Sequence, residues 1–540
     1  MATSRRVTAE CIISALSSHP LELSVLSVSC KPPSCTNKRT LQKQRMTRRL
    51  MHSFLVTQKL IKQQVEHYQH LGKAHKGDTM SLIIILQCVR FLPTVSITEK
   101  STMCGIWSCF RAQNIEILRD YLENISARGP DCSALSTLCD GAVTLGFHRL
   151  AIISLGERGN QPFQYGEGDR HSFVCSGEIY NWKEICGEIG IDDTELRSDV
   201  DVITKLLELT PDDPAQAFSR LDGDWAFISV DEKTGTVTAG RDPLGVRPLF
   251  YGMSETGEVV AMSSEVKGLV GMPGVAETRV FPPGTWWRSD VPDRFESYTD
   301  IYPAGGERTD VSPWEAAGTV RALLEKAVKK RALHSEIPLA FLCSGGVDSS
   351  AIVTIAKDIK PDLVSFSMSY ECAGRSLDEY YATLLTACLQ IDHTCVKFTK
   401  DDIKDAIARV IEVCETHDPQ TIRASVPMYL LAKYIRENTP YRVILSGEGA
   451  DELFGGSSYF SRAPDGEAGR LESVRLLRNL HSFDLLRADR CFAAHGLEIR
   501  VPFLDKDLVR YVLRLPHDPT RVTSGQEKEL LRNSVADLSA

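Results

Sequence analysis

The sequence predicts two folded domains of different class. An antiparallel α+β domain runs to about residue 300, and an α/β domain built as a doubly wound parallel sheet follows it. Three observations predict this. After residue 103, short apolar stretches follow one another across glycine-containing turns, with few long helices between them. Beyond residue 312 the rhythm changes to strands alternating with helices. In that second half two glycine-rich loops leave apolar strands, at the strand ends where open parallel sheets bind ligands.

The proportions suit this reading. A chain of 540 residues, 43% hydrophobic and 25% charged, is composed like a globular protein rather than a disordered tail, a collagen-like fibre or a coiled-coil rod. Its length alone would allow three or four domains at roughly 150 residues each. The net charge of −9 hides a split: residues 1–102 carry 15 basic and five acidic residues, which is +10 and leaves −19 for the remainder. So acidic a body repels a phosphate backbone, which argues against a nucleic-acid partner. Sixteen cysteines without a CxxC pair fit reduced thiols and a cytoplasmic location. The longest apolar run, 82–97, is broken by Gln87, Arg90 and Pro93, so no membrane span is expected.

Residues 1–103 form a basic, Ser/Thr-rich extension without a helical or alternating period. Three readings stand side by side: an organellar transit peptide, a basic arm for an acidic partner, or a stretch absent from the working protein because translation starts at Met103.

The α+β domain is expected over 104–300. Strands are read at 145–153, 173–180, 225–230 and 236–241, the last two joined by Asp231-Glu232-Lys233-Thr234-Gly235. A second hairpin pairs 248–252 with 259–263 around Gly257. A Pro/Gly-rich linker at 301–311 leads to Ser312-Pro313-Trp314-Glu315, an N-cap, a first-turn proline and the glutamate of a capping box. Val320, Leu323, Leu324, Ala327 and Val328 then recur at helical spacing. Strands at 338–343, 363–368, 393–398 and 442–445 alternate with helices at 350–357 and 378–389 and further helical segments, which fills 312–540 with one domain.

The first chemical signal is Phe341-Leu342-Cys343-Ser344-Gly345-Gly346-Val347-Asp348-Ser349-Ser350. A buried strand runs through two glycines into a helix start. Without Cβ atoms, backbone N–H groups can close around a phosphate that the helix dipole favours. Ser344 and Ser349 add hydroxyl donors, and Asp348 suits Mg²⁺ bridging the phosphates. The absence of a GKS sequence excludes a Walker A loop. The second signal, 444–456, carries Glu448, Asp451 and Glu452 within five residues, charges that a divalent metal or a cationic group would relieve. Asp451 could complete a metal shell with Asp348. The third is Met103-Cys104-Gly105-Ile106. As a first residue, Cys104 would lie beside an α-amine of pKa about 7.7–8.0, able to take the thiol proton and return it to leaving ammonia.

Taken in order, these motifs carry a resemblance. Met-Cys-Gly-Ile, Ala127-Arg128-Gly129-Pro130-Asp131, Phe147-His148-Arg149-Leu150, Gly177-Glu178-Ile179-Tyr180-Asn181 and Gly240-Arg241-Asp242-Pro243-Leu244-Gly245 resemble class II glutamine amidotransferase domains. The two glycine-rich loops, with 486–490 and 495–505, are similar to the synthetase domain of glutamine-hydrolysing asparagine synthetases. The similarity covers residues 103 to about 540. It implies an N-terminal-nucleophile fold of stacked antiparallel sheets between helices, followed by an ATP-pyrophosphatase-type domain. The implied substrates are glutamine, aspartate and ATP, with Mg²⁺; a homodimer is compatible with it.

The resemblance also implies roles. Cys104 attacks the glutamine amide, and Ser176 and Gly177 flank the oxyanion. Arg149, Leu150, Ile152, Ile153, Glu178 and Asp199 line the glutamine pocket. Ammonia then travels through a tunnel to aspartate activated as β-aspartyl-AMP, with loss of pyrophosphate. Leu342, Ser344, Gly345, Gly346, Asp348, Ser349, Met368, Ser446 and Gly447 contact ATP, Glu448 serves adenylation, and Asp348 and Asp451 hold metal.

Three departures qualify this. The family's nucleophile is N-terminal, whereas 103 residues precede Cys104 here. Ser176 stands where the family has an Asn that donates to the oxyanion, so a weakened glutaminase is expected. The family continues past 527–531 to a lysine on the ATP phosphates, and Ala540 precedes that lysine, so the synthetase site is expected to be incomplete as given. Two other functions keep the same architecture: amidation or cyclisation of another carboxylate, and a degraded paralogue that binds nucleotide without turnover.

Overall fold

Apolar residues that alternate between two covered faces build both domains. The computed structural model describes residues 104–111, 114–292, 294–299, 301–302, 311–371, 376–515 and 527–536. The basic extension and residues 303–310 of the expected linker lie outside the described residues.

Two six-stranded antiparallel sheets form the first domain. One runs Glu277–Val280, Phe250–Met253, Val259–Ser263, Gly105–Cys109, Val143–Arg149, Cys132–Leu138. The other runs Phe295–Ser297, Thr285–Arg288, Val237–Arg241, Gly223–Asp231, His171–Ile179, Phe163–Tyr165. Ile106, Leu145 and Phe147 of the first sheet share one core with Val174, Ala226 and Ile228 of the second, so the sheets stack face to face. The next residue along each strand points the other way. Trp107 and Cys109 pack under Leu118 and Leu122 of helix Ile115–Glu123. Cys175 and Phe227 pack under Ile203 and Leu206 of helix Val202–Leu209. The result is helices on both outer faces of two stacked antiparallel sheets, as the resemblance implies.

The strand expected at 145–153 ends at Arg149. Beyond it the chain wraps around the Arg149 guanidinium, which donates hydrogen bonds to the carbonyls of Ile153, Ser154 and Gly156, while Ala151 N–H donates to Asp131 at 2.9 Å. These side-chain bonds replace the ladder that a longer strand would need.

The second domain opens with helix Pro313–Leu333, capped as predicted: Glu315 N–H donates to Ser312 Oγ (3.3 Å) and Ser312 N–H donates to Glu315 (2.9 Å). Its parallel sheet runs Asp392–Phe398, Val364–Tyr370, Leu339–Leu342, Val443–Leu445, Glu498–Arg500. Leu339, Phe341, Val443 and Leu445 face a core shared with Val320, Leu324 and Ile352, and Ala340, Ile444 and Ile499 face one shared with Val410, Leu431 and Phe492. Strand order reverses between Leu339–Leu342 and Val443–Leu445. That switch point is where a doubly wound sheet opens a crevice, and both glycine-rich loops leave the sheet there.

The two domains meet through buried ions. Arg128 pairs with Glu265 (2.9 Å) and Asp489 (2.7 Å), and Arg490 pairs with Glu265 (2.8 Å) and Glu415 (3.0 Å). Arg247 meets Glu498 at 3.0 Å. All three arginines are fully buried, so their charges depend on these partners. Among the described residues no helix is long and apolar enough to cross a membrane.

Candidate active sites

Cys104 stands at the entrance to strand Gly105–Cys109, packed against the core between the sheets and also against the core of the second domain. Its thiol lies 3.4 Å from the Leu150 carbonyl and 3.3 Å from the Leu150 N–H. Burial pushes the thiol pKa up to about 12, so thiolate is scarce near neutral pH and a nearby base is needed. The Cys104 carbonyl accepts from Arg128 Nε (3.1 Å) and from Ser176 Oγ–H (2.9 Å). Ser176 therefore spends its one hydroxyl proton on the backbone of the nucleophile's own residue. Gly177 follows at φ +147°, where an added Cβ would sit 2.1 Å from the Asp224 carbonyl, so only glycine fits.

Glu178 and Asp199 form a buried acidic pair next to this thiol. Asp199 is tied down by Ile179 N–H (2.7 Å) and Ser198 Oγ (2.7 Å). Between the two carboxylates stands His334, the C-cap of helix Pro313–Leu333 in the other domain, with Nε2 at 3.0 Å from Glu178 and 3.2 Å from Asp199. Burial works against charge on His334, but its hydrogen bonds to Asp199 and Glu178 raise its pKa to about 9. Burial and the charges of Asp199 and Glu498 push Glu178 up to about 7. Asp199 is held below the usual carboxylate range by His334 despite burial. Arg149 donates to Gly156 O and Asn160 Oδ1 at 2.7 Å each, and among the described residues no carboxylate pairs with it.

In the second domain, Ser344, Gly345 and Gly346 turn the chain from strand Leu339–Leu342 into helix Val347–Ile359. Ser349 Oγ ties the turn together, accepting from Ser344 N–H (3.1 Å) and donating to Gly346 O (3.2 Å). Gly345 has φ +80° and lies so close to the Ala382 backbone that a Cβ would approach it to 2.5 Å. The second loop touches the first: a Cβ on Gly447 would meet Asp348 Cβ at 3.1 Å and Ser349 N at 3.2 Å. Met368 lies two residues past the partner of Leu342 on the adjacent strand, so both line the same sheet edge. Ser446 N–H is held by Arg500 O at 2.9 Å. Glu448 is clasped by Arg487 (2.8 and 3.0 Å), and burial raises its pKa.

Asp348 and Asp451 come together as expected, and Lys528 bridges them at 2.5 and 2.6 Å. Burial raises the Asp348 pKa, offset in part by Lys528. Asp348 Oδ1 is buried without a hydrogen-bond partner, an acceptor left open for a cation. Sequence reasoning missed Lys528 and His334. Lys528 caps a short helix, Glu529–Ser534, lies 180 residues from Asp348 along the chain, and carries no motif of its own. His334 reads as an ordinary helix-end residue, and only the packing of one domain on the other brings it to Glu178.

Known proteins resemble this chain in both halves. A family model described as "Glutamine amidotransferase domain" matches residues 103–280, and one described as "Asparagine synthase" matches 319–476 and 464–539. The "Probable asparagine synthetase [glutamine-hydrolyzing]" of Acanthamoeba polyphaga mimivirus is 34% identical over 461 residues, covering 80% of this chain and 82% of the relative. The "Asparagine synthetase [glutamine-hydrolyzing]" of Gallus gallus is 36% identical over 471 residues, and that of Homo sapiens 36% over 467, each covering 81% of both chains.

Proposed function

The chain belongs to the glutamine-hydrolysing asparagine synthetases, and from that premise we propose how its own residues divide the work. It is a carbon–nitrogen ligase that makes asparagine from aspartate and ATP, with glutamine as amido donor.

Cys104 attacks the glutamine amide carbon, forming a glutamyl thioester as ammonia leaves; water then frees glutamate. Because the thiol pKa is about 12, the proton must go to a base as the bond forms. The α-amine that Cys104 would carry as a first residue suits this, since its pKa is about 7.7–8.0. Gly177 N–H supports the oxyanion, while the Ser176 hydroxyl is committed to Cys104 O. Arg149 takes the substrate carboxylate, and Asp199 with Glu178 takes its α-ammonium. Leu150, Ile152 and Ile153 shape the wall.

Leu150 and Ile152 belong to the same apolar cluster as Phe341, Cys343 and Ala450 beneath the nucleotide loops. An apolar route of this kind favours neutral ammonia over ammonium and keeps water from the intermediate. At its far end Ser344, Gly345, Gly346, Ser349, Ser446 and Gly447 cradle the ATP phosphates, with Leu342 and Met368 against the nucleotide. Asp348 and Asp451 would hold Mg²⁺, and the open Oδ1 of Asp348 fits that role. When bound, the ion supplies positive charge against the departing pyrophosphate. Lys528 supplies further charge, and Glu448, gripped by Arg487, orients the attacking groups. The β-carboxylate of aspartate displaces pyrophosphate from the α-phosphorus; ammonia then displaces AMP from the acyl carbon.

The single observation that carries this reading is the convergence of the two glycine loops and the Asp348–Lys528–Asp451 cluster at the switch point of the parallel sheet. It is tested with aspartate labelled with ¹⁸O in the β-carboxylate. Adenylation moves one label into AMP; label in inorganic phosphate, or in neither product, refutes it.

A further inference from the structure

His334 reaches the glutaminase pocket from the synthetase domain, and neither domain alone would show its role. Its imidazole faces two carboxylates on two elements: Glu178 at the end of strand His171–Ile179 and Asp199 in the turn Asp199–Asp201. On the other sides stand the Tyr180 ring, edge-on at 5.4 Å, and Arg500, whose Nη1 donates to the His334 carbonyl at 2.5 Å and whose Nη2 lies 3.6 Å from Glu178. Glu498 is occupied by Arg247 and by Arg500 Nε at 2.7 Å, and Arg331 on the same helix by Asp505 and Asp224. Once these pairs are assigned, His334 is the one cation among the described residues that Glu178 and Asp199 share, and the more distant Arg500 faces Glu178. A buried carboxylate pair requires a counter-cation. The His334 imidazole stands where that cation belongs.

Glutamine brings its own cation. The α-ammonium and the imidazolium cannot both occupy the space between two buried carboxylates without one charge leaving. We propose that His334 is a positioning residue that holds the α-ammonium subsite of the glutamine pocket while it is empty, and gives up its proton or its place when glutamine binds. This inference rests on the assignment of Glu178 and Asp199 to glutamine. It also gives the pocket a mechanical tie to the other site: the His334 carbonyl accepts from Arg500, and the Arg500 carbonyl accepts from Ser446 N–H at 2.9 Å, beside the nucleotide loop.

The expected sizes follow from the pKa of about 9. At pH 7.5 about 3% of His334 is neutral, so a glutamine molecule that must displace a charged imidazole binds up to roughly 30-fold more weakly than to a vacant subsite. An imidazole released to an ordinary pKa of about 6.5 loses roughly 0.9 proton at that pH.

The experiment uses the full chain with Cys104→Ser, which stops turnover, and histidine labelled with ¹³C at Cε1. The His334 resonance is the one missing from a sample that also carries His334→Gln. Its titration midpoint is expected near 9 without glutamine and at or below about 7 with saturating glutamine. Calorimetry is expected to show tighter glutamine binding in the His334→Gln sample at pH 7.5, with the gap closing towards pH 9.5. Glutamine binding that leaves the midpoint near 9, or a His334→Gln sample that binds glutamine more weakly, overturns the proposal while the glutamine pocket stands. No glutamine binding to either sample, by heat or by resonance, overturns the pocket assignment as well.

Discussion

Replacing Ser176 by Asn should accelerate glutamine hydrolysis. The Ser176 hydroxyl carries a single proton, and it is donated to Cys104 O at 2.9 Å. That leaves Gly177 N–H as the donor this loop can offer an oxyanion on the amide carbon. One well-placed oxyanion donor is worth roughly 10²–10³ in rate, about 2.7–4 kcal/mol. The asparagine carboxamide reaches one bond further and carries two N–H donors. Against this gain stands space: Ser176 is 1% exposed, and overfilling a packed site costs about 1–3 kcal/mol. Where that cost falls on folding rather than on the transition state, kcat/KM for glutamine should rise by roughly 10²–10³-fold. The assay is glutamate release from glutamine without aspartate or ATP, using chains that begin at Cys104. Thermal unfolding of the same sample shows whether the site has been overfilled. Unchanged or slower hydrolysis in a Ser176→Asn protein with an unshifted Tm would refute the argument that a donor is missing.

Other consequences can be checked directly. If the base for the Cys104 thiol, whose pKa is about 12, is the α-amine of a chain that begins at Cys104, kcat/KM for glutamine should rise about tenfold per pH unit below about 7.5 and level off above 8. A chain that keeps Met103 should lose roughly 10²–10⁴ in glutamine hydrolysis, measured as glutamate release. Lys528→Met would leave Asp348 and Asp451 facing each other without the ammonium at 2.5 and 2.6 Å; pyrophosphate formation should fall roughly 10²–10³-fold. Arg128→Met strips Asp489 of two hydrogen bonds, 2.7 and 2.9 Å, in a fully buried network. It should destabilise the protein by about 3–5 kcal/mol, read from urea unfolding.

Much of this was legible in the sequence for local reasons. The capping box at Ser312–Glu315 needs only four residues. The hairpin that joins Gly223–Asp231 to Val237–Arg241 is announced by its turn, and the strand-to-helix passage through Gly345 and Gly346 by its glycines. What escaped depends on pieces far apart in the chain. Strand Glu498–Arg500 has three residues, all buried, and no alternation to betray it. Strand Val143–Arg149 was expected to run to 153, because nothing in Leu150-Ala151-Ile152-Ile153 announces that Arg149 will gather the carbonyls of Ile153, Ser154 and Gly156. Lys528 and His334 acquire meaning only from partners about 80 to 180 residues away, which no local pattern records.

The central claim is that two sites in one chain are joined by ammonia: Cys104 releases it, and the switch-point site consumes it. The most direct test compares Cys104→Ala with the unaltered protein. Asparagine and pyrophosphate are measured with aspartate, ATP and Mg²⁺, and either glutamine or ammonium chloride as nitrogen source. One pyrophosphate per asparagine is expected throughout, with glutamine-dependent synthesis abolished by Cys104→Ala and ammonia-dependent synthesis retained. Asparagine formed from glutamine by Cys104→Ala, or no asparagine from ammonia in either protein, would contradict it.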